Sequence, residues 1–514
     1  MRAGRTSLLL IVFVSGMTTM AVEMSASRLL APYFGDSLLI WSVLIGLILI
    51  YLTIGYYLGG HLADRSPRES TLYQITAWAA FIIGLVPFMA RPVLRLSAWG
   101  FVGYNVALLL GSLLGVVLLF AIPVTLLGCV SPFAIRLAVR NLRSTGNVAG
   151  GIYALSTLGS IIGTFTPVLV LIPNIGTRWT FFLFSLILLG LSLIGLARAL
   201  GRRALPYTLM PVIVLSLALL WPGGAIKATE GLVYEVESAY NYIQVVQEDD
   251  WLCLYLNEGQ GIHSAYSPDR VLTDSTWDYF LVIPFFNDPP YTADRVDNLC
   301  LVGLAAGTVA KQYTAIYGPM PIDGVEIDPQ IVAVGRRFFA MNEPNLNAVV
   351  GDGRYFLAHS HKRYDVVVID AYRPPYIPFH LTTQEFFTQV RDHLTEEGVV
   401  AINVARTAWD YSLIDLLSST MRAVFPSVYL IDPFDYGSDL SNSLVVATRR
   451  PTKAENFRAN MEWMTDPFLL TVARRTVNHI SEVQGSGVVY TDDRAPIEQA
   501  THRLLLKYML RAHP

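Results

Sequence analysis

The sequence is short of charge, of cysteine and of basic runs. Only 15% of its 514 residues are charged and the formal net charge is −3. No cluster of Lys or Arg marks a nucleic-acid surface, so nucleic acid is not an expected partner. The three cysteines, Cys129, Cys253 and Cys300, each lie in an apolar setting without disulfide-framework or metal-ligand spacing. They read as small core residues. His359, His361 and His380 show no ligand spacing either and read as surface, so no metal is expected. What the chain has in excess is apolar residues, 53% of the total. They are unevenly spread: long apolar runs continue to about Trp221, and ordinary soluble composition begins near Lys227. A chain of 514 residues exceeds one core, so at least two domains are expected.

Seven runs in the first half are long enough to cross a bilayer as helices: 7–27, 38–58, 72–90, 102–127, 148–172, 179–197 and 205–221. Arg2 and Arg5 precede the first run as in a signal peptide, but no cleavage-type site follows and more spans do, so it reads as a true span. Arginines alternate between the loops. Arg2 and Arg5, Arg65 and Arg68, Arg136 with Arg140 and Arg143, and Arg198 with Arg202 and Arg203 mark one side. Arg28, Arg91 with Arg95, and Arg178 mark the other, poorer side. The positive-inside rule then puts the N-terminus in the cytoplasm. Seven crossings would leave the soluble half outside. The last run is short and holds Pro206 and Pro211; without that crossing the soluble half is cytoplasmic. The side stays open, with a slight lean to the outside of a bacterial-type plasma membrane. Glu23 lies inside the first run, either as a functional site or in an ion pair with Arg28 or Arg136. Gly55, Gly59, Gly60, Gly159 and Gly163 recur at helical spacing and read as helix-packing contacts. Residues 131–145 read as an interfacial amphipathic helix.

In the second half, 230–264 alternates apolar and polar residues and reads as a small antiparallel sheet, with a helix near 274–284. Strand-sized apolar runs then end in turn: Leu299-Cys300-Leu301-Val302 on Gly303, Val325 on Glu326, Val349-Val350 on Gly351-Asp352-Gly353, and Val366-Val367-Val368-Ile369 on Asp370. Glycines and acids at strand ends, with room for crossover helices between, are the pattern of a doubly wound parallel sheet binding ligand at its carboxyl edge. Helices near 383–394 and 412–424 and strands at 398–404, 427–431 and 443–448 follow.

These residues resemble the spermidine synthase (polyamine aminopropyltransferase) family, and with the first half its membrane-fused branch. Glu237-Ser238-Ala239-Tyr240-Asn241 is similar to the family's E-S-x-Y-Q, and Gly303 falls at its G-G-G-D-G turn. Val325-Glu326-Ile327-Asp328 matches V-E-I-D, Asp352-Gly353 matches the D-G pair, and Asp370 opens the segment of D-S-x-D-P. The resemblance implies an α-helical multi-span membrane domain (1–226), an N-terminal β-strand subdomain (227–266) and a Rossmann-like, AdoMet-methyltransferase-like α/β domain (267–514). It implies transfer of an aminopropyl group from decarboxylated S-adenosylmethionine to a small amine, releasing 5'-methylthioadenosine. Gly303 and Gly307 would shape the nucleoside turn, and Glu326, with Asp328 in the same motif, would hold the ribose hydroxyls. Asp352 and Gly353 would face adenine, Asn241 the donor, and Asp370 would be the catalytic acid. Tyr240, His263, Trp277, Asp278, Tyr372 and Arg373 are the further candidates for the substrate side. The lipid bilayer is the implied environment, and a homodimer stays open.

The chain also departs from the pattern. The turn's aspartate is Ala306, the second aspartate of the catalytic segment aligns with Arg373, and the family's Y-H-E triplet aligns with Thr276, Trp277 and Asp278. The nucleoside half of the site is kept and the diamine half altered, which puts putrescine in doubt as acceptor. Two other functions use the same residues: an S-adenosylmethionine-dependent methyltransferase, and a non-catalytic nucleoside-binding or transport protein with Glu23 in the path. The cluster Asp492, Asp493 and Glu498 reads as a helix start with ion pairs, or alternatively as lining for the acceptor.

Overall fold

A computed structural model describes residues 2–34, 38–99, 107–139, 145–220, 227, 229–257, 261–372, 376–432, 440–483, 485 and 487–512. Arg373 lies outside them. The chain divides into two compact units. One comprises Met1–Glu230, Glu235–Ile243 and Asn257–Gly259; the other comprises Gly231–Tyr234, Gln244–Leu256 and Gln260–Pro514.

In the first unit, uninterrupted apolar sequence yields long helices, among them Arg2–Phe34, Leu38–Arg65, Glu69–Trp99 and Ala107–Gly128. Five stretches among the described residues are long and apolar enough to cross a membrane: Thr6–Phe34, Ile40–Arg65, Glu69–Ser97, Leu110–Ala138 and Thr145–Leu220. The last runs 76 residues. Its backbone breaks at Gly176 (φ 79°, ψ 166°) and Gly201 (φ 58°, ψ −131°), between the expected runs 148–172, 179–197 and 205–221. Gly159 and Gly163 let two helices touch, since a Cβ there would lie 2.1 Å from Phe13 O and 2.0 Å from Met17 O. Gly60, by contrast, has nothing within 4 Å of a Cβ position among the described residues and is no packing contact there. The segment expected to lie at the interface forms the helix Val130–Ala138, which buries Val130, Phe133 and Ala134. Arg136 pairs with Asp64 at 3.0 Å, and Glu23 is 8% exposed.

A four-stranded sheet follows, in the order β1 (Leu232–Glu237), β2 (Tyr242–Glu248), β3 (Trp251–Leu256), β4 (Ile262–Tyr266). The large sheet contains β5 (Leu299–Val302), β6 (Ile322–Glu326), β7 (Leu346–Val350), β8 (Tyr364–Ile369), β9 (Leu394–Thr407), β10 (Ser427–Ile431), β11 (Leu440–Thr448) and β12 (Ile480–Glu482). Its order is β12-β10-β11-β9-β8-β5-β6-β7. Strands β5 to β9 pair in parallel, and β11 returns antiparallel on β9. This is the mixed Rossmann-like sheet expected from the strand-end pattern. Alternate residues feed two cores. Leu299, Leu301, Val366, Val368, Val399 and Ala401 enter one; Cys300, Val302, Val367, Ile369, Val400 and Ile402 enter the other. Burial on both faces explains why these strands read as continuous apolar runs. The chain winds from β5 outward to β7, then crosses back to β8 on the other side of β5. A reversal of this kind opens a crevice at the carboxyl ends of β5 and β8.

Candidate active site

The crevice is built first from backbone. Gly303 (φ +96°) follows β5, and a Cβ on it would lie 2.4 Å from the carbonyl oxygen of Asp370. Only glycine lets the ends of β5 and β8 approach this closely. Asp370 N donates to Val302 O at 2.8 Å, which fixes the two strand ends together. Ala305 (φ +47°) and Gly307 (φ +92°) complete a turn whose backbone sits in the left-handed region, a strained conformation of the kind stored at functional sites. From Gly307 the chain enters the helix Thr308–Tyr317.

The turn is held by an acid from the next strand. Ala305 N donates to Glu326 Oε2 at 2.9 Å, and Asp328 N donates to Glu326 Oε1 at 3.1 Å. Burial raises the Glu326 carboxyl to about 7, against the pull of those backbone donors. Asp328 is fully buried and caps the helix Pro329–Phe338 by accepting from Gln330 N at 2.9 Å. Its backbone N–H thus orients Glu326, while its side chain caps the helix. On the other side of the turn, Ala306 N donates to Ser264 Oγ at 2.9 Å, and Ala306 is 1% exposed.

At the end of β7, Asp352 caps the helix Gly353–His359 through Tyr355 N (2.9 Å). Its other oxygen meets His380 Nε2 at 2.9 Å. His380, expected at the surface, is partly exposed and pairs with this candidate residue. Gly353 is required by close packing, since a Cβ there would lie 2.4 Å from Val302 Cγ1. Asp492 does not stand free for a substrate amine: Arg354 grips it with two bonds of 2.7 and 2.6 Å, and Thr383 donates to it at 2.7 Å. That ion pair, ahead of burial, holds the Asp492 carboxyl below its ordinary range.

Asp370 lies where the sheet reverses. Trp277 Nε1 donates to its Oδ2 at 2.9 Å, and Asn403 Nδ2 to its Oδ1 at 2.9 Å. Burial raises its carboxyl above the usual range, although both donors favour the anion. Such a group is oriented, desolvated and able to take a proton. Tyr372 OH donates to the Asn403 carbonyl at 3.0 Å. Asp278 is 2% exposed and accepts from Thr273 N, Thr273 Oγ1, Asp274 N and Gln312 Nε2, so it holds its loop together. Burial brings the His263 imidazole down to about 4, leaving it neutral near pH 7. Asn403 was not singled out in the sequence. The available signal was a lone amide in the apolar strand Val399-Val400-Ala401-Ile402-Asn403-Val404.

Tyr240 and Asn241 belong to the other compact unit. There Ser238 Oγ accepts from Tyr240 N (3.0 Å) and Asn241 N (2.8 Å), and Asn257 Nδ2 donates to Asn241 Oδ1 at 3.0 Å. Arg28 donates to the carbonyls of Ala239 and Tyr240. Glu237 accepts from Thr177 N (2.8 Å) and Thr177 Oγ1 (2.5 Å) just after the break at Gly176.

Known proteins similar to this chain fall in one group. Residues 305–432 match the spermine/spermidine synthase domain. A probable polyamine aminopropyl transferase of Bifidobacterium longum is 32% identical over 287 residues, covering 52% of this chain and 61% of the relative. A polyamine aminopropyltransferase of Vibrio vulnificus is 29% identical over 215 residues, covering 38% and 66% respectively. The chain thus spans less than two thirds of either relative's length. The crystal structure of a probable spermidine synthase from Corynebacterium glutamicum aligns with a TM-score of 0.42 at 16% identity, over 52% of this chain and 97% of that one. Residues 305–432, in the C-terminal part of this chain, are thus similar to the spermine/spermidine synthase domain.

Proposed function

We propose that this chain is a membrane-anchored aminopropyltransferase, moving the aminopropyl group of decarboxylated S-adenosylmethionine to an amine and releasing 5'-methylthioadenosine. The observation that carries the reading is Asp370, a raised, doubly oriented carboxylate beside the glycine turn at the sheet's reversal. Glu326 offers a carboxylate to the ribose hydroxyls and Asp352 a polar edge to adenine. Asp370 takes a proton from the acceptor ammonium. The freed nitrogen lone pair forms the N–C bond, and the C–S bond breaks with its electron pair passing to sulfur. The sulfonium leaves as a neutral thioether, so no developing oxyanion needs stabilising. Anchoring rests on the five apolar stretches, and on exposed Ile45, Leu49, Ile50 and Ile54 along one of them.

The acceptor departs from putrescine in this reading. An acid within about 4 Å of a far ammonium attracts it by roughly 4 kcal/mol at an effective dielectric of 20, and a cation repels it equally. The family's two acids are Ala306 and Arg373 here. Steady-state assays of wild type with putrescine and longer amines should show weak or absent putrescine turnover. Ala306→Asp combined with Arg373→Asp should raise it, and Asp370→Asn should abolish turnover of every amine. Efficient putrescine turnover by the wild type would overturn the acceptor argument, and an active Asp370→Asn would overturn the role of Asp370.

A further inference from the structure

We infer that Glu23 binds an ammonium ion among the helices of the first unit, at a site independent of the aminopropyltransferase reading. A carboxylate buried in an apolar helix is costly without a partner. Arg28 and Arg136 are its expected ion-pair partners, and both are committed elsewhere. Arg28 donates to the carbonyls of Ala239 and Tyr240, and Arg136 pairs with Asp64 at 3.0 Å. Glu23 is 8% exposed, and no donor among the described residues bonds its carboxylate.

What surrounds it is rich in acceptors. Thr19 and Ser27 stand one turn before and after Glu23 on the same helix face. Thr19 Oγ1 donates to Ser15 O at 2.8 Å and Ser27 Oγ to Met24 O at 2.9 Å. Each hydroxyl has thus spent its one hydrogen and keeps its acceptor lone pairs. Helical side chains lean toward the N-terminus, so Thr19 is the nearer of the two to the carboxylate. A second helix, Thr145–Thr166, runs alongside in the same direction, since Gly159 packs on Phe13 O and Gly163 on Met17 O. Glu23 lies about 9 Å along its helix from Met17, and the π turn Pro167–Leu171 lies about 6–12 Å beyond Gly163, so the two are level. Glu23 also lies two turns past Gly16, where a Cβ would stand 2.3 Å from Ser156 O, so it is on the side turned to that helix. Pro167 has no N–H to give the Gly163 carbonyl, and π turns within helices recur at functional sites.

Acceptors without donors call for a ligand with donors and no acceptor. A primary ammonium has that character: a positive charge, three N–H groups and no lone pair. One N–H meets the Glu23 carboxylate, and the others are free for the Thr19 hydroxyl and a backbone carbonyl at the π turn.

The test is equilibrium dialysis of the full chain in detergent against labelled methylammonium at pH 7, for wild type, Glu23→Gln and Thr19→Val. Wild type should show a saturable site. Glu23→Gln should weaken it by about tenfold or more, as loss of a charge-assisted hydrogen bond requires. Thr19→Val keeps the charge and should weaken it several-fold, which covers the case in which Glu23→Gln disturbs folding. Asp370→Asn should leave the site in place, which separates it from any amine held at the proposed synthase site. Tetramethylammonium carries the charge without N–H donors and should not displace methylammonium. Absence of a saturable site in wild type, or binding unaltered in Glu23→Gln, would overturn the inference. Equal displacement by tetramethylammonium, or sodium bound in its place with the same dependence on Glu23, would overturn the assignment to an ammonium.

Discussion

At the scale of single residues, Glu326 combines two demands that conflict. It braces the glycine turn through Ala305 N and is proposed to hold a ribose, yet burial raises its carboxyl to about 7. The ionised form is the better acceptor of ribose hydroxyls. Methylthioadenosine affinity should therefore rise with pH through about 7 and fall below it. Removing the charge-assisted bond in Glu326→Gln should cost roughly 1.5–3 kcal/mol at pH 8 and flatten the pH dependence. Calorimetry between pH 5.5 and 8.5 checks this; unchanged affinity in the variant would take Glu326 out of the site. The sign for stability is opposite. A carboxyl raised in the folded state takes up a proton on folding, so its contribution falls as pH climbs from the ordinary value of 4.5 to about 7. The strand-end positions of Glu326, Asp352 and Asp370 were legible in the sequence because each closes or follows an apolar run. Asn403 and His380 were not, because the partners that define them, Asp370 and Asp352, are 33 and 28 residues away. A one-dimensional pattern does not pair such positions.

At the scale of elements, the central strands were the most legible part, since burial on both faces writes Leu299–Val302 and Val366–Ile369 as unbroken apolar runs. Where expectation and structure differ, local chemistry explains it. The helix expected near 274–284 closes as Thr276–Phe280 and is followed by a separate 3-10 turn, Ile283–Phe286. Pro284 has no N–H and disfavours helical geometry in the residue before it. Strand β9 runs over Leu394–Thr407; it continues past the expected end at 404 because β11 pairs along it as far as Thr407, and it starts early where Leu394 pairs with Tyr364. The Glu237 contact could not be read from sequence at all. Its carboxylate replaces the lost helical partners at the Gly176 break by accepting two bonds from Thr177. Glu237→Ala should leave those donors buried and unpaired, at a cost of about 1.5–3 kcal/mol. The check is the thermal unfolding midpoint of detergent-solubilised protein, followed by tryptophan fluorescence. An unchanged midpoint would mean that the break at Gly176 does not need the carboxylate.

At the scale of the whole molecule, two compositions meet in one chain, and their division near residue 227 was plain from apolar content alone. With the apolar stretches placed in a membrane as proposed, the side that the C-terminal part faces depends on how often the 76-residue stretch Thr145–Leu220 crosses. The arginine asymmetry of the loops favours the outside. A reporter fused after Pro514 should be active there, and activity only in the cytoplasm would mean that 205–221 does not cross. The central claim concerns the donor, because a Rossmann-like sheet with an acid on the ribose and an acid at its reversal would equally serve a methyltransferase. Ala306 sharpens that choice, since loss of the turn's aspartate also removes a repulsive neighbour for the carboxylate of an intact donor. The most direct measurement offers purified protein an amine mixture with either decarboxylated or intact S-adenosylmethionine, and identifies the released nucleoside by mass spectrometry. The expected result is 5'-methylthioadenosine and an aminopropylated amine from the decarboxylated donor alone. Release of S-adenosylhomocysteine with a methylated amine from the intact donor would contradict it.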